Sequence, residues 1–272
     1  MHDLPAGIPA LLGAPYDASS SFIRGSAAGP AAMREALRSP ASNLWSESLR
    51  DLSAADAFTD EGDITFGDEP RSDIEHAARA LLERGAKPIV LGGDHSITYP
   101  VLRAVREWHR PLTVLHFDAH NDLYDAFEGD RFSHACPFAR AMEEGLVDQL
   151  IQVGIRAMTG HLRGQADRFG VEVIDMQRWV RGDRYALRHP VYISLDLDAL
   201  DPAFAPGVSH HEAGGLTVRE VVSCLQGIDV PVVGADLVEF NPSRDAAGIT
   251  ASACAKLLKE LIAVMRWPAA RT

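Results

Sequence analysis

The sequence predicts an α/β fold, a parallel sheet with helices on both faces, and three observations carry that reading. Short β-branched runs recur from end to end. They are near-continuously apolar and do not alternate, which is what strands covered on both sides require. Stretches with helical start and stop signals lie between them, so strand and helix take turns and the connections are right-handed crossovers.

In chain order the expected strands are Ile8 to Leu12, Pro88 to Leu91, Thr113 to Phe117, Leu150 to Val153, Val171 to Ile174, Val191 to Leu197 and Val232 to Val238. Among the helices, Ser72 with Glu75 three residues later reads as a capping box opening IEHAARALLER, and Gly85 stands where a left-handed stop belongs. Thr217 with Glu220 repeats the device before VVSCLQ, which Gly227 closes. Pro30 and Pro137 suit first-turn positions, and Gly145 ends the helix that Pro137 opens. Residues 40–70 are the least regular, and the segment after Trp267 is expected to fray. No repeat, low-complexity tract or Pro/Gly/Ser linker divides the 272 residues, so a single domain spanning 1–272 is expected.

Composition narrows the function classes. Lys and Arg total 26 against 38 Asp and Glu, a net charge of −12, which argues against a nucleic-acid scaffold. With 46% apolar and 24% charged residues the chain has the balance of a soluble protein with a large core. No stretch reaches the roughly 18 consecutive apolar residues of a membrane span. The N-terminus has no basic region followed by a long apolar run, so a cytoplasmic protein is expected. Cys136, Cys224 and Cys254 form no CxxC and read as core thiols.

In an open parallel sheet ligands gather at the carboxyl ends of strands. Three such ends carry polar clusters: Gly92-Gly93-Asp94-His95-Ser96, Asp118-Ala119-His120-Asn121-Asp122, and Asp196-Leu197-Asp198 with Asp201-Pro202. Residues two apart on extended backbone share a side, so Asp118, His120 and Asp122 can present one face, and Asp196 and Asp198 another. With His95 this gathers two imidazoles and four carboxylates. Four packed carboxylates repel until some take up protons, unless cations are present; two divalent ions balance the charge. Oxygen-rich ligation with two imidazoles and no thiolate suits manganese better than structural zinc.

GGDHS, DAHND, SLDLDALDP and the EFNP of Glu239 to Pro242 closely resemble the ureohydrolase family of arginases, agmatinases and formimidoylglutamases. The resemblance runs from LLGAPYDASSSFIRG to GADLVEFNPSRD, with DLYDAFEGDRFSHACPFARAMEEG and APGVSHHEAGGLTVREV most similar to the plant-type arginases and their bacterial agmatinase-like relatives. It implies a three-layer α/β/α domain with an eight-stranded parallel sheet, two Mn2+ per subunit, and a homotrimer or homohexamer. One manganese would be held by His95, Asp118, Asp122 and Asp196, the other by Asp118, His120, Asp196 and Asp198, with Asp118 and Asp196 bridging.

The chemistry then implied is attack on a guanidino carbon by a hydroxide shared between the ions, with release of urea and an amine. Asp122 would aim the hydroxide. Glu239 matches the family carboxylate that pairs with the guanidinium, whose two N–H donors fit a carboxylate fork. His134 matches the family histidine regarded as the proton shuttle, needed because an alkyl amine leaves only when protonated. His210, in the segment Ser209-His210-His211-Glu212 at the expected pocket mouth, is a candidate for shaping the substrate site. His116 reads as a core residue, and His76, His109, His161 and His189 as surface positions.

Agmatine and arginine are the expected substrates. Animal-type arginases carry an Asn two residues after the DAHxD aspartate to help hold the α-carboxylate; Tyr124 stands there here. Arginine would call for a cationic partner, for which Arg131 and Arg156 are candidates. Formimidoylglutamate hydrolysis is the nearer rival, and a non-catalytic metal-binding role the more distant one, disfavoured because a pure binder needs neither Glu239 nor His134.

Overall fold

A computed structural model describes residues 7–267 of the chain. Its strands are β1 (Pro9–Ala14), β2 (Thr59–Asp63), β3 (Lys87–Gly92), β4 (Thr113–Phe117), β5 (Gln149–Val153), β6 (Glu172–Ile174), β7 (Val191–Asp196) and β8 (Val232–Val238). Its helices are α1 (Gly29–Leu37), α2 (Pro70–Glu83), α3 (Thr98–Trp108), α4 (Pro137–Glu143), α5 (Gly160–Phe169), α6 (Met176–Val180), α7 (Val218–Gln226) and α8 (Ile249–Arg266). All eight strands pair in parallel in the order β2-β1-β3-β8-β7-β4-β5-β6.

The strand pleat divides the core into two layers. Ile89, Leu91, Leu115, Phe117, Ala235 and Leu237 face α1, α7 and α8; Val90, Val114 and Val233 face α2, α3, α4 and α5. Alternate residues on each strand thus enter opposite apolar layers, which is why the runs lack polar alternation. No helix among the described residues is long and apolar enough to cross a membrane.

Seven strands fall on the expected runs within two residues; β2 is the one that sequence periodicity does not reveal. Its sequence is TDEGD, at the sheet edge, and its carboxylates meet Arg34 of α1: Nε lies 2.9 Å from Asp60 Oδ1, and Nη1 also pairs with Asp63. An edge strand bonded on one side tolerates such charge. The capping box at Thr217 and Glu220 is present, whereas that at Ser72 is not. There α2 begins earlier, at Pro70, and Ser72 lies inside it. Gly85 and Gly145 adopt the left-handed conformation, with φ of 74° and 64°. The expected fraying beyond Trp267 lies outside the described residues.

Candidate metal centre

The strand order decides the site. β3, β8, β7 and β4 are neighbours at the middle of the sheet although far apart in sequence, and their carboxyl ends deliver His95, Glu239, Asp196 and Asp118 to one place. The β3 turn can come this close to the β1 loop only because residue 93 is glycine: a Cβ there would lie 1.8 Å from Tyr16 O. Asp122 and Glu239 hold φ of 50° and 64°, left-handed values that non-glycine residues adopt at a cost of about 1 kcal/mol or more each.

His95 Nδ1 is fully buried and has no hydrogen-bond partner, yet Asp118, Asp122 and Asp196 each bring an Oδ2 to within 3.1–3.2 Å of it. An orphaned imidazole nitrogen ringed by three carboxylate oxygens is a ligand shell in waiting. A second shell lies beside it, where His120 Nδ1 is 3.0 Å from Asp198 Oδ2 and 3.4 Å from Asp118 Oδ1. The two oxygens of Asp118 therefore face different imidazoles, Oδ2 toward His95 and Oδ1 toward His120. Asp196 turns Oδ2 to His95, while its Oδ1 accepts from the Asp198 amide at 2.8 Å.

All six expected ligands converge, but simple strand alternation is not how they do so. Asp118 to Asp122 follow β4 as a loop, and Asp198 sits in a 3-10 turn, Leu197–Ala199, capped by Asp196. Local turns, tied by bonds such as Ala119 N to Asp198 Oδ1 at 3.1 Å, bend the side chains inward.

The electrostatics fit a cation pair. Burial, with Asp198 and Asp118 alongside, pushes the Asp196 carboxyl well up, and burial with Asp118 raises Asp198 to about 6. Burial disfavours charge on His95 too, but three carboxylates outweigh it and drive its affinity for a proton far up; Asp198 and Asp118 do the same at His120. Protons there stand in for the positive charge that the donor set demands, and nitrogen and oxygen donors suit divalent ions.

Around the ligands lies a shell of buried polar residues, of which His116 is the one that the sequence already places in the core. His95 Nε2 lies 2.9 Å from Ser194 Oγ, which donates to Asp236 Oδ1 at 2.7 Å. Thr98 and Tyr192 hydroxyls bond the other oxygen of Asp236 at 2.9 and 2.8 Å. His116 Nε2 is 2.8 Å from Asp118 Oδ2 while Gln152 Nε2 donates to its Nδ1 at 3.0 Å, so His116 orients Asp118 and leaves no bare nitrogen for a metal. A polar residue inside an apolar run, the signal applied to SLDLD, also marked His116 and Asp236.

Beside the nest is a cavity of about 160 Å³ whose lining includes His120, Asp122, Asp196, Asp198, His134, Glu239, His210, Ser21, Tyr124 and Phe127. A larger cleft of about 620 Å³, between α1 and α8, carries none of these groups. His134 Nδ1 lies 2.8 Å from Glu239 Oε1, which also accepts the His95 amide at 3.0 Å. Burial alone would lower His134, but Glu239 overrides it and holds the imidazole up at about 9. His210 stands over this pair, its ring 5.2 Å from His134 and 5.5 Å from Phe22. Neither candidate cation reaches the cavity. Arg156 spends its guanidinium on backbone carbonyls, including Asp198 O at 2.7 Å and Glu212 O at 2.6 Å, and Arg131 pairs with Glu143 at 2.9 Å.

Such a nest at the central strand ends of a doubly covered sheet defines a class, the α/β proteins with a side-chain set suited to divalent cations. The chain belongs to the arginase family, whose family model matches residues 9–263. It is 45% identical to the mitochondrial arginase 1 of Arabidopsis thaliana, over 93% of this chain and 80% of that one. Among solved structures it is similar to the arginase of Medicago truncatula, with a TM-score of 0.91 at 42% identity over 96% of this chain and 88% of that one. A hypothetical agmatinase from Burkholderia thailandensis gives a TM-score of 0.85 at 32% identity, over 96% and 87%. The protein is thus an arginase-family hydrolase.

Proposed function

We propose that this protein hydrolyses the guanidino group of arginine or agmatine to urea and the corresponding amine, with two manganese ions held by His95, Asp118, His120, Asp122, Asp196 and Asp198. The observation that carries the proposal is the His134–Glu239 pair, 2.8 Å apart, sharing one small cavity with the carboxylate and imidazole nest. When bound, the cation pair supplies the charge that makes water a nucleophile at neutral pH.

The chain's own residues do the rest. Glu239 uses Oε1 for His95 and His134, and among the described residues nothing bonds Oε2, so that oxygen is free to pair with a guanidinium N–H and orient the carbon toward the nest. His134, holding its proton at neutral pH, is the acid for the departing amine. Asp122, on the cavity wall, is placed to accept a hydrogen bond from the attacking water. His210, between His134 and Phe22, shapes the entrance.

Arginine is the substrate that the names of the similar plant proteins suggest. The lining favours agmatine beside it, because among the described residues no Lys or Arg lines the cavity to neutralise a carboxylate and the wall is acidic. The same lining disfavours formimidoylglutamate, which carries two carboxylates. Urea release from agmatine, arginine and guanidinobutyrate, and formamide release from formimidoylglutamate, measured with and without added manganese, tests the reading. Comparable kcat/KM for agmatine and arginine is expected, and no turnover of any by manganese-loaded protein would overturn it. The reading also carries a trimeric or hexameric assembly and a cytoplasmic location, which sedimentation and cell fractionation would check.

A further inference from the structure

His134 has two nitrogens, and only Nδ1 is accounted for by Glu239. Nε2 faces Ser21 twice: the Ser21 hydroxyl is 2.8 Å away, and the Ser21 amide donates to Nε2 at 3.2 Å. The loop that carries Ser21 is pinned. Asp94 Oδ2 accepts from Ser19 N at 3.0 Å and from Ser20 Oγ at 3.3 Å, and its Oδ1 is held by the Ser96 amide at 3.1 Å. The His134 amide in turn donates to Ser19 O at 3.2 Å, so the loop and the histidine are fixed to each other by backbone as well as side chain. Asp94, the one acid of the GGDHS motif outside the ligand nest, thus holds the segment that addresses His134.

We propose that Ser21 is a positioning and proton-relay residue for His134, built into the loop that Asp94 anchors. An amide N–H can only donate, so it fixes Nε2 as the bare nitrogen of the neutral ring and puts the proton on Nδ1, toward Glu239. The hydroxyl works both ways. It donates to bare Nε2, and once the ring is charged, when the amide can no longer donate there, it is the partner that accepts from Nε2–H. Because Glu239 holds the Nδ1 proton, the mobile proton is the one on Nε2. As the C–N bond breaks, its electron pair passes to the amine nitrogen. That nitrogen takes the Ser21 proton while Ser21 Oγ takes the one on Nε2, and serine ends as it began. Ser21 and His134 both line the cavity, as this transfer requires.

The proposal rests on the shuttle role of His134, and the test separates the two. In metal-free protein labelled with 15N-histidine, with His134→Asn used to assign the signal, His134 titrated to its neutral form above about pH 9 should show the Nδ1–H tautomer; an Nε2–H tautomer would overturn the proposal. In manganese-loaded enzyme Ser21→Ala should lower kcat about ten-fold or more with KM unchanged, and Ser21→Thr should recover it to within about two-fold. Turnover by Ser21→Ala equal to wild type, or loss in Ser21→Thr as deep as in Ser21→Ala with unfolding temperatures unchanged, would also overturn it. If Ser21→Ala is silent while His134→Asn is impaired, the relay fails and the shuttle stands; if His134→Asn is itself silent, the shuttle fails.

Discussion

His134 Nδ1 lies 2.8 Å from Glu239 Oε1 although 105 residues separate them in the chain. Glu239 also accepts the amide of His95, so one carboxylate oxygen ties the proton-bearing imidazole to the ligand turn after β3. In the proposed mechanism, substrate orientation and proton supply therefore share a support.

Replacing His134 with Asn should lower kcat by about 10²-fold or more, the usual worth of a general acid, and leave metal content nearly intact. Replacing Glu239 with Gln keeps the shape but removes the charge facing the guanidinium. A fall in kcat/KM of roughly 10–100-fold is expected, matching the loss of a charged hydrogen bond. Steady-state kinetics and elemental analysis of both variants check this. Equal loss of metal in His134→Asn would contradict the shuttle role.

Ser194→Ala should loosen the metal held at His95. The serine accepts from His95 Nε2 at 2.9 Å and so aims Nδ1 at the three carboxylates. Losing such an outer partner costs about 10–100-fold in metal affinity. Competition with a chelator, or calorimetric titration with Mn2+, reads this directly, and an unchanged affinity would refute it.

The pH dependence of stability should reverse with metal loading. In metal-free protein burial and Asp118 hold Asp198 up to about 6, and burial and Glu239 hold Asp94 up to about 7. An acid whose pKa rises on folding keeps its proton longer in the folded state, so stability drains away as pH climbs from about 4 through those values. Glu239 holds His134 up at about 9, and that contribution is lost as pH rises from about 6.5 to there. Asp118, held low against burial by His116, His120 and His95, adds an opposite slope only below about pH 4. His116 and His210, held low by burial, add a further opposite slope up to about pH 6.5, so chelated protein should melt at a lower temperature as pH rises from about 6.5 to about 9. Metal-loaded protein should gain over the same range, because ligands bind once deprotonated. Scanning calorimetry with and without chelator tests the sign.

Gly93→Ala should destabilise the fold by about 3 kcal/mol, because the new Cβ would lie 1.8 Å from the backbone oxygen of Tyr16, which cannot retreat as a side chain would. For a chain of this size that is a fall in Tm of roughly 6–12 °C. A melting curve matching wild type would mean that the turn re-forms elsewhere.

Local chemistry made much of this legible in advance. Apolar runs marked seven of eight strands because burial on both faces leaves no room for polar alternation, and aspartates closing such runs exposed the nest because unpaired charge is costly to bury. β2 escaped because an edge strand can be as polar as TDEGD. The helix starts at Pro70 and not after Ser72 because proline at the first turn opens it without a side-chain cap. Residue types and spacing supply the inventory, a doubly covered parallel sheet with two imidazoles and four carboxylates at strand ends, and the family resemblance adds His134 and Glu239 beside them. The tertiary structure adds that β3, β8, β7 and β4 are neighbours, that Arg131 and Arg156 bond outside the cavity, and that Ser194, Asp236 and His116 brace His95 and Asp118 while Ser21 bonds His134. Those facts depend on strand order and on hydrogen bonds between residues distant in the chain, and neither periodicity nor spacing encodes them.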